Sequence, residues 1–162
     1  MTMLINKKFM DDLTAQARNS PRLRSHFNLH ASHEELVQRI YIGAQPGTYI
    51  RPHAHMQKHK WEYISIVRGA MDFLQFTAGG VLEQRLSLRA GDDTSAIEFP
   101  AGTWHSLIIG QPDTVFFEVK QGPFDAASNA AFAEWAPEEN TPGVARFLQA
   151  MTQLTVGTAL TI

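Results

Sequence analysis

From Phe27 to Lys120 the chain is a succession of short segments rich in β-branched and aromatic residues: "VQRIYIGA", "TYIRPHAH", "WEYISIVRG", "MDFLQFT", "VLEQRLSL", "SAIEFP", "WHSLIIG" and "TVFFEVK". Turn-forming groups separate them: "QPG", "AGG", "AGDD", "PAG" and "GQPD". Many short strands at such spacing close into a β-barrel or a sandwich. A helical lead precedes them. In "NKKFMDDLTAQARNS", Phe9, Met10, Leu13 and Ala17 recur at helical spacing, and Pro21 stops the run. After the strands comes an Ala-rich connection, "AASNAAFAEWAPEEN", and a second helix. Thr141 is its expected cap, Pro142 suits its first turn, and Val144, Phe147, Leu148 and Met151 form its apolar stripe. The expectation is a mainly β, jelly-roll-like barrel with flanking N-terminal and C-terminal helices. Its parts are a lead over 1–24, a barrel over 25–121 and a connection with a packed helix over 122–162, one domain in total.

Composition excludes several classes of function. The 162 residues carry a net charge of −2, which gives no reason to expect nucleic acid or an anionic membrane as partner. No apolar run approaches the roughly eighteen residues of a membrane-spanning helix. The opening "MTMLINKKFMDDL" is too short in its apolar part for a signal peptide, so a cytoplasmic location is expected. Cysteine is absent, which excludes disulfides, thiolate catalysis and Cys-based zinc sites.

The chemistry concentrates in "RPHAHMQKHKWEYI", which holds three of the seven histidines. His53 and His55 are two apart in a strand-like segment, so both imidazoles face one side about 6.6 Å apart. Glu62 opens the next strand, and His105 follows the turn "PAGTW" at the head of another. Three imidazole nitrogens and one carboxylate suit one divalent first-row ion, Mn, Fe, Co, Ni or Zn. H-x-H alone is a weak signal that two solvated histidines explain equally well. The joint pattern with Glu62 and P-x-G-x-x-H is strong.

That joint pattern resembles the cupin superfamily. Gly47, His53, His55, Glu62 and Gly69 follow its first motif, and Pro100, Gly102 and His105 its second. The resemblance implies a cupin-type barrel and a metal held by His53, His55, Glu62 and His105. Two departures stand out. Six residues separate His55 from Glu62, a longer turn than usual, which brings in His59 as a competing ligand; and Ile109 replaces the usual Asn. The stretches "SPRLRSHFNLH", "VQRIYIGAQPGTYIRPHAH", "IEFPAGTWHSLI", "FFEVKQGPFD" and "FAEWAPEEN" resemble the WbuC family of cupin-fold metalloproteins. This implies a place in O-antigen or related polysaccharide metabolism, with a sugar or nucleotide sugar as ligand. Cupin resemblance also implies a homodimer.

Strand parity would put Tyr49 and Arg51 on the face of His53 and His55. Arg51 then becomes an anion clamp or a rim residue paired to a surface acid, and Tyr49 a substrate contact or core filler. Glu118 and Lys120 share a face in "FFEVK"; they are a solvated pair or, with Tyr49, acid–base candidates. Arg24 and His30 would join an anionic ligand site only in the light of the family resemblance. Trp61 and Trp104 turn away from the metal by parity, towards core or subunit packing. His26 and His33 read as surface. Two functional classes follow. One is a metal-dependent enzyme on a small anionic metabolite, an isomerase, epimerase or dioxygenase-type cupin. The other is a non-catalytic, metal-dependent module that binds carbohydrate or another small ligand.

Overall fold

The computed structural model describes residues 2–127 and 129–160. Helix α1 spans Lys7–Asn19, and the Asn6 side chain caps it by accepting from the Phe9 N–H. Its buried face is Leu13, Thr14 and Ala17, laid against the first two strands. Phe9 is only half-buried and packs edge-on against Phe27 and Tyr41.

Among the described residues ten strands follow: β1 (Arg24–Asn28), β2 (Val37–Ala44), β3 (His53–Ala54), β4 (Glu62–Arg68), β5 (Ala70–Phe76), β6 (Leu82–Arg89), β7 (Ala96–Phe99), β8 (Trp104–Ile109), β9 (Thr114–Gln121) and β10 (Ala131–Phe132). Helix α2 spans Val144–Gln153. The strands form two antiparallel five-stranded sheets, ordered β1-β2-β9-β4-β7 and β10-β3-β8-β5-β6. The chain is thus mainly β with two helices, as its pattern of short strands and turns implies.

Two cores explain why β5 and β8 carry buried apolar residues on both faces. One core lies between the sheets, with Ile42, Ile64, Ile66, Phe73, Leu107 and Phe116. The other lies outside the second sheet, where Leu74, Phe76 and Tyr49 receive Phe147 and Met151 of α2. A strand buried on both faces loses its alternation. Helix α2 carries the expected apolar face, but Thr141 does not cap it. Gly143 is the N-cap, and the Thr141 hydroxyl instead donates to Glu138 O within the preceding turn. The tail docks too: Leu82 donates to Thr158 O and Gly157 to Leu82 O, along the edge of β6.

Two further expectations change. "TYIRPHAH" keeps only His53–Ala54 as strand, because Pro52 carries no N–H to extend the ladder. β1 lies in no segment read as a strand, although four of its five residues fall within the expected barrel bounds, and β10 falls in the Ala-rich connection. At the β4–β5 turn Gly69 has φ +82°, and a Cβ there would lie 2.4 Å from Thr114 Oγ1, so no other residue fits without strain. Gly102, also at φ +82°, donates its N–H to His55 O at 2.8 Å and so ties the turn before β8 to the end of β3.

Candidate metal centre

Strand register brings the four sequence-derived ligands together at one end of the space between the sheets. His53 on β3 pairs directly with His105 on β8, and His55 lies just past the end of β3. On the facing sheet Glu62 pairs directly with Lys120. Glu62 shares its inward face with Ile64 and Ile66, and His105 with Leu107 and Ile109, so the polar groups cap an apolar interior. Ligand nitrogens of the three histidines lie within 4.8 Å of one another. Glu62 reaches two of them, with Oε1 3.1 Å from His55 Nε2 and Oε2 3.2 Å from His105 Nε2. His59 is exposed on the turn and belongs to no such cluster among the described residues.

The second nitrogen of each ring fixes which one is free. Nδ1 of His53 faces Arg51 O at 2.9 Å, Nδ1 of His105 faces Thr103 O at 2.9 Å, and Nδ1 of His55 faces Asn129 O. A carbonyl only accepts, so each Nδ1 carries a proton, and in the neutral ring Nε2 presents a lone pair. Burial holds His53 neutral, pushing its pKa down to about 3, with His105 adding to the effect. Lone pairs of Nε2 therefore meet the Glu62 carboxylate in a dry space. Buried His55 Nε2 and Glu62 Oε2 have no hydrogen-bond partner among the described residues. Two ligands at about 2.1 Å and right angles around one ion stand about 3.0 Å apart, close to the two contacts seen here. Without an ion, relief would require imidazolium on histidines only 3% exposed, at a desolvation cost of several kcal/mol per charge in round terms. The donor set and its orphaned atoms fit a divalent ion.

Around this centre lies a cavity of about 320 Å³. Its walls include Ile40, Ile42, Ile50 and Phe116, and its charged groups are Arg22, Arg24, Arg51, Lys120, Glu62, Glu118 and Glu139. Lys120 Nζ lies 2.6 Å from Glu118 Oε1 and 3.5 Å from Glu62 Oε1. Burial opposes its charge, but Glu118 and Glu62 outweigh burial and raise its pKa. Burial likewise opposes ionisation of Glu62, but the Lys120 ammonium beside it is among the groups that hold it well below the ordinary carboxylate range.

The other sequence candidates divide. Arg51 lines the cavity, donates Nη2 to Ala133 O at 3.0 Å, lies 5.3 Å from the Phe132 ring centre and leaves a buried Nε unpaired. Arg24 lines it as well. Tyr49 does not. Residues 48–52 are not strand, so parity fails, and its hydroxyl donates to Pro137 O at 2.9 Å inside the outer core. His30 is buried beside Arg39, away from the cavity lining, with Nδ1 accepting from the Arg39 N–H. Trp104 packs in the outer core, while Trp61 is 36% exposed. His26 is exposed on β1, as its surface reading has it, and also lines the cavity. Asn129, Phe132 and Glu139 reach the site from the connection, and nothing in their local sequence marks them as site residues.

A family model described as "Domain of unknown function (DUF6016)" matches residues 5–88, just over half of the chain. The chain belongs to the DUF6016 family. That match carries His53, His55 and Glu62, while His105 lies beyond it. No curated protein matches the sequence. Solved structures give this DUF6016 member its fold. A conserved protein with a double-stranded β-helix domain from Klebsiella pneumoniae subsp. pneumoniae MGH 78578 is 18% identical, with TM-score 0.56, over 83% of this chain and 99% of that one. The capsular polysaccharide assembling protein CapF from Staphylococcus aureus is 19% identical, with TM-score 0.56, over 71% of this chain and 30% of that one. KdgF from Halomonas sp. is 17% identical, with TM-score 0.50, over 67% and 86%. The fold is that of the cupins, the double-stranded β-helix.

Proposed function

We propose that this DUF6016 protein is a metal-dependent enzyme acting on a small anionic sugar or nucleotide-sugar metabolite. One divalent ion per chain would be held by His53, His55, Glu62 and His105. The observation that carries the reading is the set of three Nδ1–carbonyl contacts, which leaves three Nε2 lone pairs converging beside a buried carboxylate. Bound there, the ion would supply Lewis acidity, polarising a carbonyl or activating water.

The chain's own residues would do the rest. The ionisable cavity lining pairs four cationic side chains, Arg22, Arg24, Arg51 and Lys120, with three carboxylates, Glu62, Glu118 and Glu139. A divalent ion would raise that excess from one positive charge to three, so an anionic ligand is favoured. Arg51, with its unpaired Nε, is the ligand clamp. Glu118 is the proton acceptor for isomerisation or epimerisation, and Lys120, held charged, orients it. Tyr49 takes no part, because its hydroxyl is committed to Pro137 O. A cavity of about 320 Å³ is at the small end of ligand pockets, fitting a single sugar ring better than a whole nucleotide sugar. The link to polysaccharide metabolism rests on the sequence resemblance to the WbuC family and is consistent with the fold shared with CapF. A cytoplasmic homodimer belongs to the same proposal, with sedimentation velocity as its check.

The test is solvent-deuterium incorporation, followed by NMR, into a panel of uronic acids, sugar phosphates and nucleotide sugars. Exchange at a carbon next to a carbonyl is expected with the metal-loaded chain and lost in Glu118→Gln, with metal content unchanged. One observation favours the second reading, a non-catalytic binding module: Lys120 already engages Glu118 at 2.6 Å. Under that reading ligands bind and no exchange occurs.

A further inference from the structure

Glu139 stands in an unusual place for a loop carboxylate. Arg22 grips it with a two-nitrogen fork, Nε to Oε1 at 3.1 Å and Nη2 to Oε2 at 2.8 Å. Arg24 Nη2 adds a third contact to Oε1 at 2.6 Å. Two guanidiniums thus meet one carboxylate, and all three residues line the cavity that His53 and His105 also line. Arg24 does not depend on Glu139 for its position. Its Nη1 donates to Tyr49 O at 2.9 Å and to Thr48 Oγ1 at 3.2 Å, and its side chain is only 8% exposed. Burial lowers the Arg24 pKa, and Glu139 opposes that effect. The cation is built in from the barrel side, while the anion comes from the connection. Around Glu139 the backbone hydrogen bonds are local turns, Ala136 to Ala133, Thr141 to Glu138 and Val144 to Thr141. The next carboxylate, Glu138, is 78% exposed and 3.9 Å from Arg51. A cationic seat fixed at Arg24, joined by the half-exposed Arg22 and filled by a loop side chain, is the arrangement expected where an external anion competes with an internal one.

We propose that Arg22 and Arg24 form the seat for a second acidic group of the ligand, and that Glu139 is its placeholder in the unliganded chain. Resting on the functional reading above, this narrows the ligand to a small molecule with metal-binding oxygens at one end and a carboxylate or phosphate at the other. Sugar acids and sugar phosphates share that chemistry. Ligand arrival displaces Glu139 and frees residues 138–141, between the buried Ala136 with Pro137, held by the Tyr49 hydroxyl, and the Gly143 cap of α2.

Calorimetry of the full chain with inorganic phosphate, glucuronate and glucose 6-phosphate tests the seat, with metal-stripped and Mn-loaded protein in parallel. Glu139→Gln keeps the size of the side chain and removes the competing charge. In the metal-stripped chain it is expected to tighten phosphate binding on the order of tenfold, the worth of a charge-assisted hydrogen bond. Adding Arg24→Gln should cancel the gain. The glucuronate and glucose 6-phosphate arms separate a carboxylate from a phosphate ligand. Hydrogen–deuterium exchange on the wild-type chain gives a readout independent of the variant's folding: saturating phosphate should raise exchange across 138–141. Unchanged or weaker phosphate affinity in folded Glu139→Gln would overturn the proposal, as would unchanged exchange in the wild type. A chain that takes up no metal yet shows the phosphate response loses the metal reading and keeps the seat. A chain that takes up metal without the response loses the seat alone.

Discussion

Glu62 and His59 are the two residues between which the long turn leaves a choice, and the geometry separates them. Glu62 is 2% exposed and faces two imidazoles, whereas His59 is exposed on the turn. Glu62→Gln should therefore weaken metal binding at least tenfold, with a folded chain by circular dichroism, and His59→Ala should leave it unchanged. The reverse pattern in a metal titration would mean that the turn supplies the fourth ligand. Arg51 makes a second residue-scale prediction. Arg51 lines a cavity with a positive excess and has an Nε unpaired among the described residues, so Arg51→Gln should weaken binding of sugar acids or sugar phosphates roughly ten- to a hundredfold while the melting temperature holds. A large fall in melting temperature with unchanged affinity would make Arg51 a structural residue, held by Ala133 O. The four candidate ligands were legible because metal chemistry restricts residue type and strand geometry restricts spacing. Glu139 and Asn129 were not. They approach from more than seventy residues along the chain from His55, and only the folded connection brings them near.

Among the elements, β3 is the most compressed. It supplies two residues of strand, yet it sits between β10 and β8 and sets His53 opposite His105. The turn after it runs long without disturbing Glu62, because β4 is registered against β9 and β7 rather than against β3. Strands with clear alternation or continuous apolar character could be read from the sequence: β2, β4 to β9. β1 was hidden by its polar "RSHFN", and β10 by its length of two residues. Parity arguments held for Glu62 and His105, which lie in true strands, and failed for Tyr49, which does not. Helix α2 depends on its apolar face more than on its caps, since Gly143 provides no side-chain cap. Phe147 is fully buried against Tyr49 and Trp135. Phe147→Ala should cost about 3–5 kcal/mol in urea unfolding and loosen α2 first, seen as early exchange of its amides. A cost under about 1 kcal/mol would show that the helix contributes little to the fold.

Across the whole molecule, two carboxylates far apart in sequence fasten the periphery to the barrel. Asp113 accepts from Gln45 and pairs with Arg18 of α1, and Glu139 pairs with Arg22 and Arg24. The Gln45 hydrogen bond and Arg18 hold Asp113 below its ordinary pKa; burial opposes ionisation of Glu139, but Arg22 and Arg24 outweigh it. A carboxylate with a depressed folded pKa stabilises the fold above its unfolded pKa, near 4, and loses that contribution as pH falls through the folded value. Stability should thus be flat in this respect above about pH 5 and decline below about pH 4, less steeply in Asp113→Asn. An equal acid slope in that variant would contradict the assignment. The account as a whole rests on one ion per chain at the end of the barrel. Elemental analysis of the chain after reconstitution with Mn, Fe, Co, Ni or Zn and removal of excess metal measures this directly. The predicted result is close to one ion per wild-type chain and near zero in folded His55→Ala and His105→Ala; a wild-type chain that takes up no ion, or variants that retain it fully, would contradict the account.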